Sequence, residues 1–257
     1  MSPGGDKPPA VLSIAGSDSG GGAGIQADLK TFQDFGIWGT TAITCVTAQS
    51  PSGVSGIAPM DPGLVVKQIA AVREAYAIRA AKTGMLFSTE IVEAVCTELR
   101  LAPIASLVVD PVMVATSGAR LLRDDAIQAL CERLLPLATV ITPNLPEAEV
   151  LCGQSIVDAS HAQTAAREIG ERYHAACVIK GGHGDGDTAR DILWDGEQLI
   201  VLEIPRITGV SVHGTGCTYS SALTALLAQD TPLEVAARRA QQYVGQKLRV
   251  ESGASDR

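Results

Sequence analysis

The residues able to do chemistry in this sequence gather in two glycine-rich segments and a few short polar stretches between apolar runs. The segment HGTGCT at 213–218 is followed, after Tyr219, by the apolar helical run SSALTALLA. Glycines that open a helix expose several backbone N–H groups in one direction, and with the helix dipole they make a concave anion site. Such a site suits the charge that develops on a transferring phosphoryl group, where catalysis is mostly positioning and electrostatics. Cys217 falls at the start of that helix. A thiol so placed can have its pKa lowered from about 8.5 to roughly 3.5–7.5 and act as a thiolate or general base towards a substrate hydroxyl. A small buried thiol that merely starts a helix fits the same spacing.

The other glycine segment, GSDSGGGAG at 16–24, leads from a strand pattern into a helix pattern. Gly22, Gly24 and Ala27 satisfy G-x-G-x-x-A, which raises a Rossmann-type dinucleotide site and hence an oxidoreductase. That fingerprint also calls for a carboxylate about 20 residues on, for the ribose hydroxyls. The next strand pattern ends Val46-Thr47-Ala48-Gln49 instead. A P-loop is excluded, because no Gly-Lys-Ser/Thr follows the glycines.

In TPNLPEAEVLCG (142–153), Asn144 and Glu147 stand three apart at a helix start. A capping box explains that spacing. It also suits a carboxylate and an amide holding waters around Mg²⁺ on nucleotide phosphates. Asp110, ending an apolar run and followed by Pro111, offers a second carboxylate, and Lys180 beside Gly181-Gly182 a point charge for phosphate. His161 and His174 read as helix-surface residues, while His183 and His213 fall in glycine loops where polar contacts are expected.

Elements must bring these residues together. Strand patterns occur at 10–16, 40–46, 78–84, 106–112, 138–144 and 176–182, with helix patterns at 24–35, 62–76, 89–101, 124–136, 146–152, 161–173, 216–228 and 232–250. Asp61-Pro62, Ser160 with Gln163, and Thr231-Pro232-Leu233-Glu234 read as helix starts. Alternation of this kind predicts an α/β fold with a mostly parallel sheet and helices on both faces. Asp195-Gly196 within 189–204 predicts a hairpin that adds a small antiparallel part at one edge. Ligands in such sheets bind beyond the carboxyl ends of the strands. Gly16-Ser17-Asp18, Ala48-Gln49, Lys82-Thr83-Gly84-Met85, Asp110, Asn144 and Lys180 all fall there.

Hydrophobic residues make up 46% of the 257 and aromatics only 4%, which means an aliphatic core and no base-stacking platform. A formal charge of −8 argues against a nucleic-acid or anionic-membrane surface. The six cysteines show no CxxC and no Cys/His cluster, so neither a disulfide framework nor a zinc site is expected. No apolar run approaches the roughly 20 residues of a membrane span, and the expected location is the cytoplasm. We expect a single domain over 11–250, with tails at 1–10 and 251–257.

Laid out in order, SIAGSDSGGGAGIQADLKTF (13–32), KTGML (82–86), VVDPVMVATSG (108–118), ITPNLPEAE (141–149), VIKGGH (178–183) and HGTGCTYSSAL (213–223) resemble the hydroxymethylpyrimidine/phosphomethylpyrimidine kinases of the ribokinase-like superfamily. The resemblance implies a three-layer sandwich, use of ATP and Mg²⁺, and two successive phosphorylations of hydroxymethylpyrimidine (HMP) towards thiamine. Pyridoxal kinase is the near alternative, and a homodimer is implied. It implies that Asp28 and Gln49 bind the pyrimidine, with Gly16 and Met85 shaping the pocket. Asn144 and Lys180 fall to the nucleotide and Glu147 to the metal; from their positions alone, His213 is added to the nucleotide side and Asp110 to the metal. Gly214, Thr215 and Gly216 become the anion hole, and Cys217 takes the place of the base. The sequence departs from the family pattern in SDSGGG, where SDSSGG is more usual, and in KLRVESGASDR, where a GPV-x-H-type segment is frequent.

Overall fold

The structure is a computed structural model that describes residues 7, 9–50, 53–113, 122–181, 187–207 and 213–252. Its elements are β1 (Pro9–Asp18), α1 (Gly24–Asp34), β2 (Gly39–Ser50), β3 (Gly53–Pro59), α2 (Pro62–Ala75), β4 (Ala77–Thr83), α3 (Thr89–Leu101), β5 (Ser106–Val109), α4 (Asp124–Ala129), β6 (Val140–Ile141), α5 (Leu145–Cys152), α6 (Ala159–Tyr173), β7 (Ala176–Ile179), β8 (Thr188–Trp194), β9 (Leu199–Pro205), α7 (Thr215–Ala228) and α8 (Leu233–Glu251). One nine-stranded sheet runs in the order β3-β2-β1-β4-β5-β6-β7-β8-β9. The pairs from β2 through β7 are parallel.

Alternation along each strand sorts the core into layers, because successive side chains point to opposite faces. Leu12, Ile14, Leu107 and Val109 pack with Ile69, Val92, Leu151 and Ile169, on the face covered by α2, α3, α5 and α6. Val108 and Val178 pack with Leu223 and Ala237 of α7 and α8, while Val11 meets Phe32 of α1 on that same side. The expected three-layer α/β sandwich is observed.

Several boundaries differ. Antiparallel strands close both edges, not one: β8 and β9 pair as the hairpin signal predicts, and β3 pairs antiparallel with β2. The sequence reading passed over β3, whose Gly53-Val54-Ser55-Gly56 start lacks strong strand formers. Asp61 caps α2 as expected, its Oδ1 accepting Leu64 N at 3.0 Å. Helix α6, however, begins two residues earlier than Ser160 suggested, capped by Asp158 through His161 N at 2.9 Å. Thr231 makes no side-chain cap on α8. No helix among the described residues is long and apolar enough to cross a membrane.

Candidate active site

The carboxyl ends of the central strands and the start of α7 enclose a cavity of about 480 Å³. Its lining includes Gly16 and Asp18 from β1, Gln49 from β2, Met85 after β4, Asp110 after β5, and Asn144 and Glu147 at the start of α5. Lys180 follows β7, and His213 through Cys217 form the turn that opens α7. Strand order therefore divides the cavity. One half lies over β2, β1 and β4, the other over β5 to β8, and the α7 turn stands between them.

Two close backbone approaches explain the glycines. Gly214 has φ +87°, and a Cβ there would lie 1.9 Å from the Gly22 carbonyl oxygen. The two glycine segments, far apart in sequence, thus touch each other. A Cβ on Gly216 would stand 3.2 Å from Lys180 Nζ and 3.8 Å from Asp110 Oδ2, so its absence lets that charged pair reach the anion turn.

Asp18 organises the first glycine loop. Its Oδ1 accepts Gly20 N at 2.8 Å, and its Oδ2 accepts Gly22 N at 3.0 Å and Ala23 N at 2.8 Å. The amides that a dinucleotide pyrophosphate would need are therefore taken by a carboxylate. Gln49 Nε2 meets His213 Nε2 at 2.5 Å, and Gln49 Oε1 accepts Thr47 Oγ1 at 3.1 Å. His213 Nε2 also lies 3.6 Å from Asp18 Oδ2.

In the other half, Lys180 Nζ donates to Asp110 Oδ1 at 2.9 Å, and Ser220 Oγ donates to Asp110 Oδ2 at 3.1 Å. Burial opposes the charge on Lys180, but Asp110 and Glu147 outweigh it and hold the ammonium above its ordinary range. Asn144 and Glu147 form a full capping box: Asn144 Oδ1 accepts Glu147 N at 2.9 Å and Glu147 Oε2 accepts Asn144 N at 3.0 Å. Glu147 Oε1 additionally accepts Met113 N at 3.2 Å. Burial raises the Glu147 carboxyl, with Lys180 pulling the other way.

Most of this chain's length is matched by proteins of known kind. The family model described as phosphomethylpyrimidine kinase matches residues 18–255. The chain belongs to that family. It is 48% identical to the hydroxymethylpyrimidine/phosphomethylpyrimidine kinase of Haemophilus influenzae, over 91% of this chain and 88% of the relative. Among solved structures, phosphomethylpyrimidine kinase from Clostridium difficile is 39% identical with a TM-score of 0.82, covering 94% of this chain and all of that one. An ADP complex of Bacillus subtilis pyridoxal kinase is also 39% identical, with a TM-score of 0.85 and coverage of 92% and 90%.

Against the family-derived expectations, the cavity gathers Gly16, Gln49, Met85, Asp110, Asn144, Glu147, Lys180, His213, Gly214, Thr215, Gly216 and Cys217. Asp28 is different. It is fully buried and absent from the lining, with its carboxylate engaged by Ser13, Lys82 and Ser221. His213 contacts Gln49 in the β2 half, away from the strands that carry Asn144 and Lys180. The expected lowering of the Cys217 thiol is reversed. Burial pushes it up to about 11, outweighing Lys82 and a hydrogen bond from the Gly24 backbone. The helix-terminus argument counted the dipole and omitted desolvation. Gly182 and His183 lie outside the described residues.

Sequence reasoning assigned no role to Asp191. This β8 carboxylate lines the cavity and accepts Gly181 N at 2.9 Å. Burial raises it to about 6. Its only signal was a carboxylate directly before the apolar run Ile192-Leu193-Trp194 of the hairpin strand. Ser220 and Ser221, hidden in an apolar helix pattern, were passed over for the opposite reason: serine there reads as filler.

Proposed function

We propose that this protein transfers the γ-phosphoryl group of ATP to the hydroxymethyl group of HMP, and then a second one to HMP phosphate, as a step of thiamine biosynthesis. The carrying observation is the α7 turn: Gly214 to Cys217 stands between two polar half-sites of one cavity. An acceptor over β2, β1 and β4 and a nucleotide over β5 to β8 would meet there in line. Membership of the family supplies the choice of pyrimidine.

On this reading Gln49 offers amide hydrogen bonds to the pyrimidine ring, and its bonds to Thr47 and His213 fix its orientation. Gly16 and Met85 bound the ring's pocket. Lys180 meets nucleotide phosphate as a point charge, and the backbone N–H groups of Thr215 to Cys217 face the charge that spreads over the moving phosphoryl oxygens. Cys217, protonated at rest, takes the acceptor hydroxyl's proton only as the thiolate, so it must release its own proton to solvent before each transfer.

Mg²⁺ fits as an ion carried by the nucleotide. Among the described residues no group of three or more His, Cys, Asp or Glu could cage a metal. The Asp110 and Glu147 carboxylates line the cavity, and each already accepts hydrogen bonds from the protein. They retain lone pairs for metal-bound waters, the mode Mg²⁺ favours. Bound there, the ion neutralises charge on the phosphates. A homodimer and a cytoplasmic location are proposed from the family resemblance, and sedimentation at twice the chain mass checks the former.

A coupled assay with HMP, HMP phosphate and pyridoxal tests the proposal. Turnover of both pyrimidines ahead of pyridoxal is expected. Preference for pyridoxal, the reading favoured by likeness to the Bacillus subtilis structure, would overturn it.

A further inference from the structure

A charged cluster lies under the cavity floor, outside the transfer chemistry described above. Lys82, on β4, is fully buried, and its Nζ donates to Asp28 Oδ1 at 2.8 Å with both side chains sealed from solvent. The same oxygen accepts Ser221 Oγ at 2.6 Å, and Asp28 Oδ2 accepts Ser13 Oγ at 2.5 Å. One carboxylate thus ties β1, α1, β4 and α7 together. A sealed ion pair repays its desolvation only with good geometry and further hydrogen bonds, and a pair of apolar side chains of similar volume would pack the same space at no such cost.

The cluster also reaches upward. Lys82 Nζ stands 3.8 Å from where a Cβ on Gly84 would be, and Gly84 lines the cavity. The charged groups that bear on the Cys217 thiol are Lys82 from β4, Asp28 from α1, Asp110 after β5 and Lys180 after β7. Lys82 is the cation beneath the cavity, and Lys180 the one in its lining. Ser220, next in α7 to the serine held by Asp28, bonds both Asp110 and the Cys217 carbonyl oxygen, each at 3.1 Å.

We propose that Lys82 is a positioning residue for the transfer: through Asp28 and Ser221 it fixes the start of α7, and its ammonium supplies a counter-charge beneath the turn that carries Cys217. The carboxylate partner keeps that ammonium charged and in place, so that the thiol draws on it alongside Lys180. The inference rests on the kinase reading only for its kinetic arm.

Alkylation of the full-length protein by iodoacetamide at fixed pH, followed through the mass of the peptide carrying Cys217, tests it. Asp28→Asn leaves the ammonium without its carboxylate, whereas Asp28→Asn with Lys82→Met removes both charges at nearly constant volume. A buried opposite charge close to a group moves its titration by about one unit or more. Cys217 should therefore react about tenfold faster in the single variant than in the double one, with wild type between. A purely structural role would shift both variants the same way. Rates within about twofold of each other, or a faster double variant, overturn the proposal. Should the single variant not fold, wild type against the double variant decides it: severalfold slower alkylation supports the proposal and equal rates overturn it. In the kinetic arm, kcat of the double variant should fall about tenfold or more, with KM for HMP changed less than about twofold. Failure of the alkylation arm in a protein that still phosphorylates HMP removes this inference alone. A wild type that does not phosphorylate HMP removes the substrate assignment and leaves the alkylation result standing.

Discussion

At the scale of single residues, the site is governed by what burial does to charge. Cys217 is the clearest case, with its thiol pushed up to about 11. If the thiolate is the working form, kcat should climb by up to about tenfold per pH unit between pH 6 and 9. Cys217→Ala should flatten that profile and lower kcat by about 10²-fold or more, leaving HMP affinity within about twofold. A variant that keeps its turnover would leave the backbone turn as the whole catalyst. Asp191 makes a second test, on stability. Its carboxyl is raised to about 6 in the folded protein, so between roughly pH 4 and pH 6 the folded state holds a proton that the unfolded chain has lost. Stability then falls as pH rises through this window, by up to about 3 kcal/mol for a shift of this size. Asp191→Asn keeps an acceptor for the Gly181 amide and removes the titration. Urea unfolding from pH 4 to 7 should show a smaller decline for the variant than for wild type.

At the scale of elements, caps and close approaches set where the side chains point. Breaking the Asn144 box with Asn144→Ala should cost about 1 kcal/mol, read by urea denaturation. Gly214→Ala is harsher. It demands a left-handed backbone of a residue with a Cβ and drives that atom against the Gly22 carbonyl. A loss of about 2–3 kcal/mol is expected, together with a fall in turnover as the α7 turn shifts. Much of this level was legible beforehand. The strand–helix alternation and the polar residues at strand ends located the strand-end part of the cavity lining, because both follow from local pattern, but not the part drawn from β8, β9 and α8, such as Asp191, Ile204 and Gln241. What stayed hidden depends on partners distant in sequence. Asp28 sits on the inner face of α1, and only the arrival of Lys82 and Ser221 makes it a buried network member. Strand β3 forms because β2 offers an open edge, not because Gly53–Gly56 favours extension. The Asp158 cap, too, displaced the Ser160 reading by two residues that composition could not decide.

For the molecule as a whole, the cavity's two halves belong to one sheet, so ligands in both should brace it. Mg-ATP with a non-transferable HMP analogue, each at about 100 times its Kd, adds about 2.7 kcal/mol per independent site. For a chain of this size each such increment raises Tm by about 5–10 °C, measurable by scanning calorimetry. A dinucleotide alone should raise it little, since Asp18 already occupies the loop amides.

The contact of Gly22 with Gly214 also sets a timetable for the ribosome. At the usual elongation rate of about 5–20 residues per second, the first glycine loop is made some 10–40 s before its partner exists. Through that interval the nascent chain carries the first half of its sheet without the α7 turn, so His213 and Ser221 are not yet there to meet Asp18 and Asp28. The finished active site becomes a late checkpoint of synthesis, closed only as the last helices leave the exit tunnel.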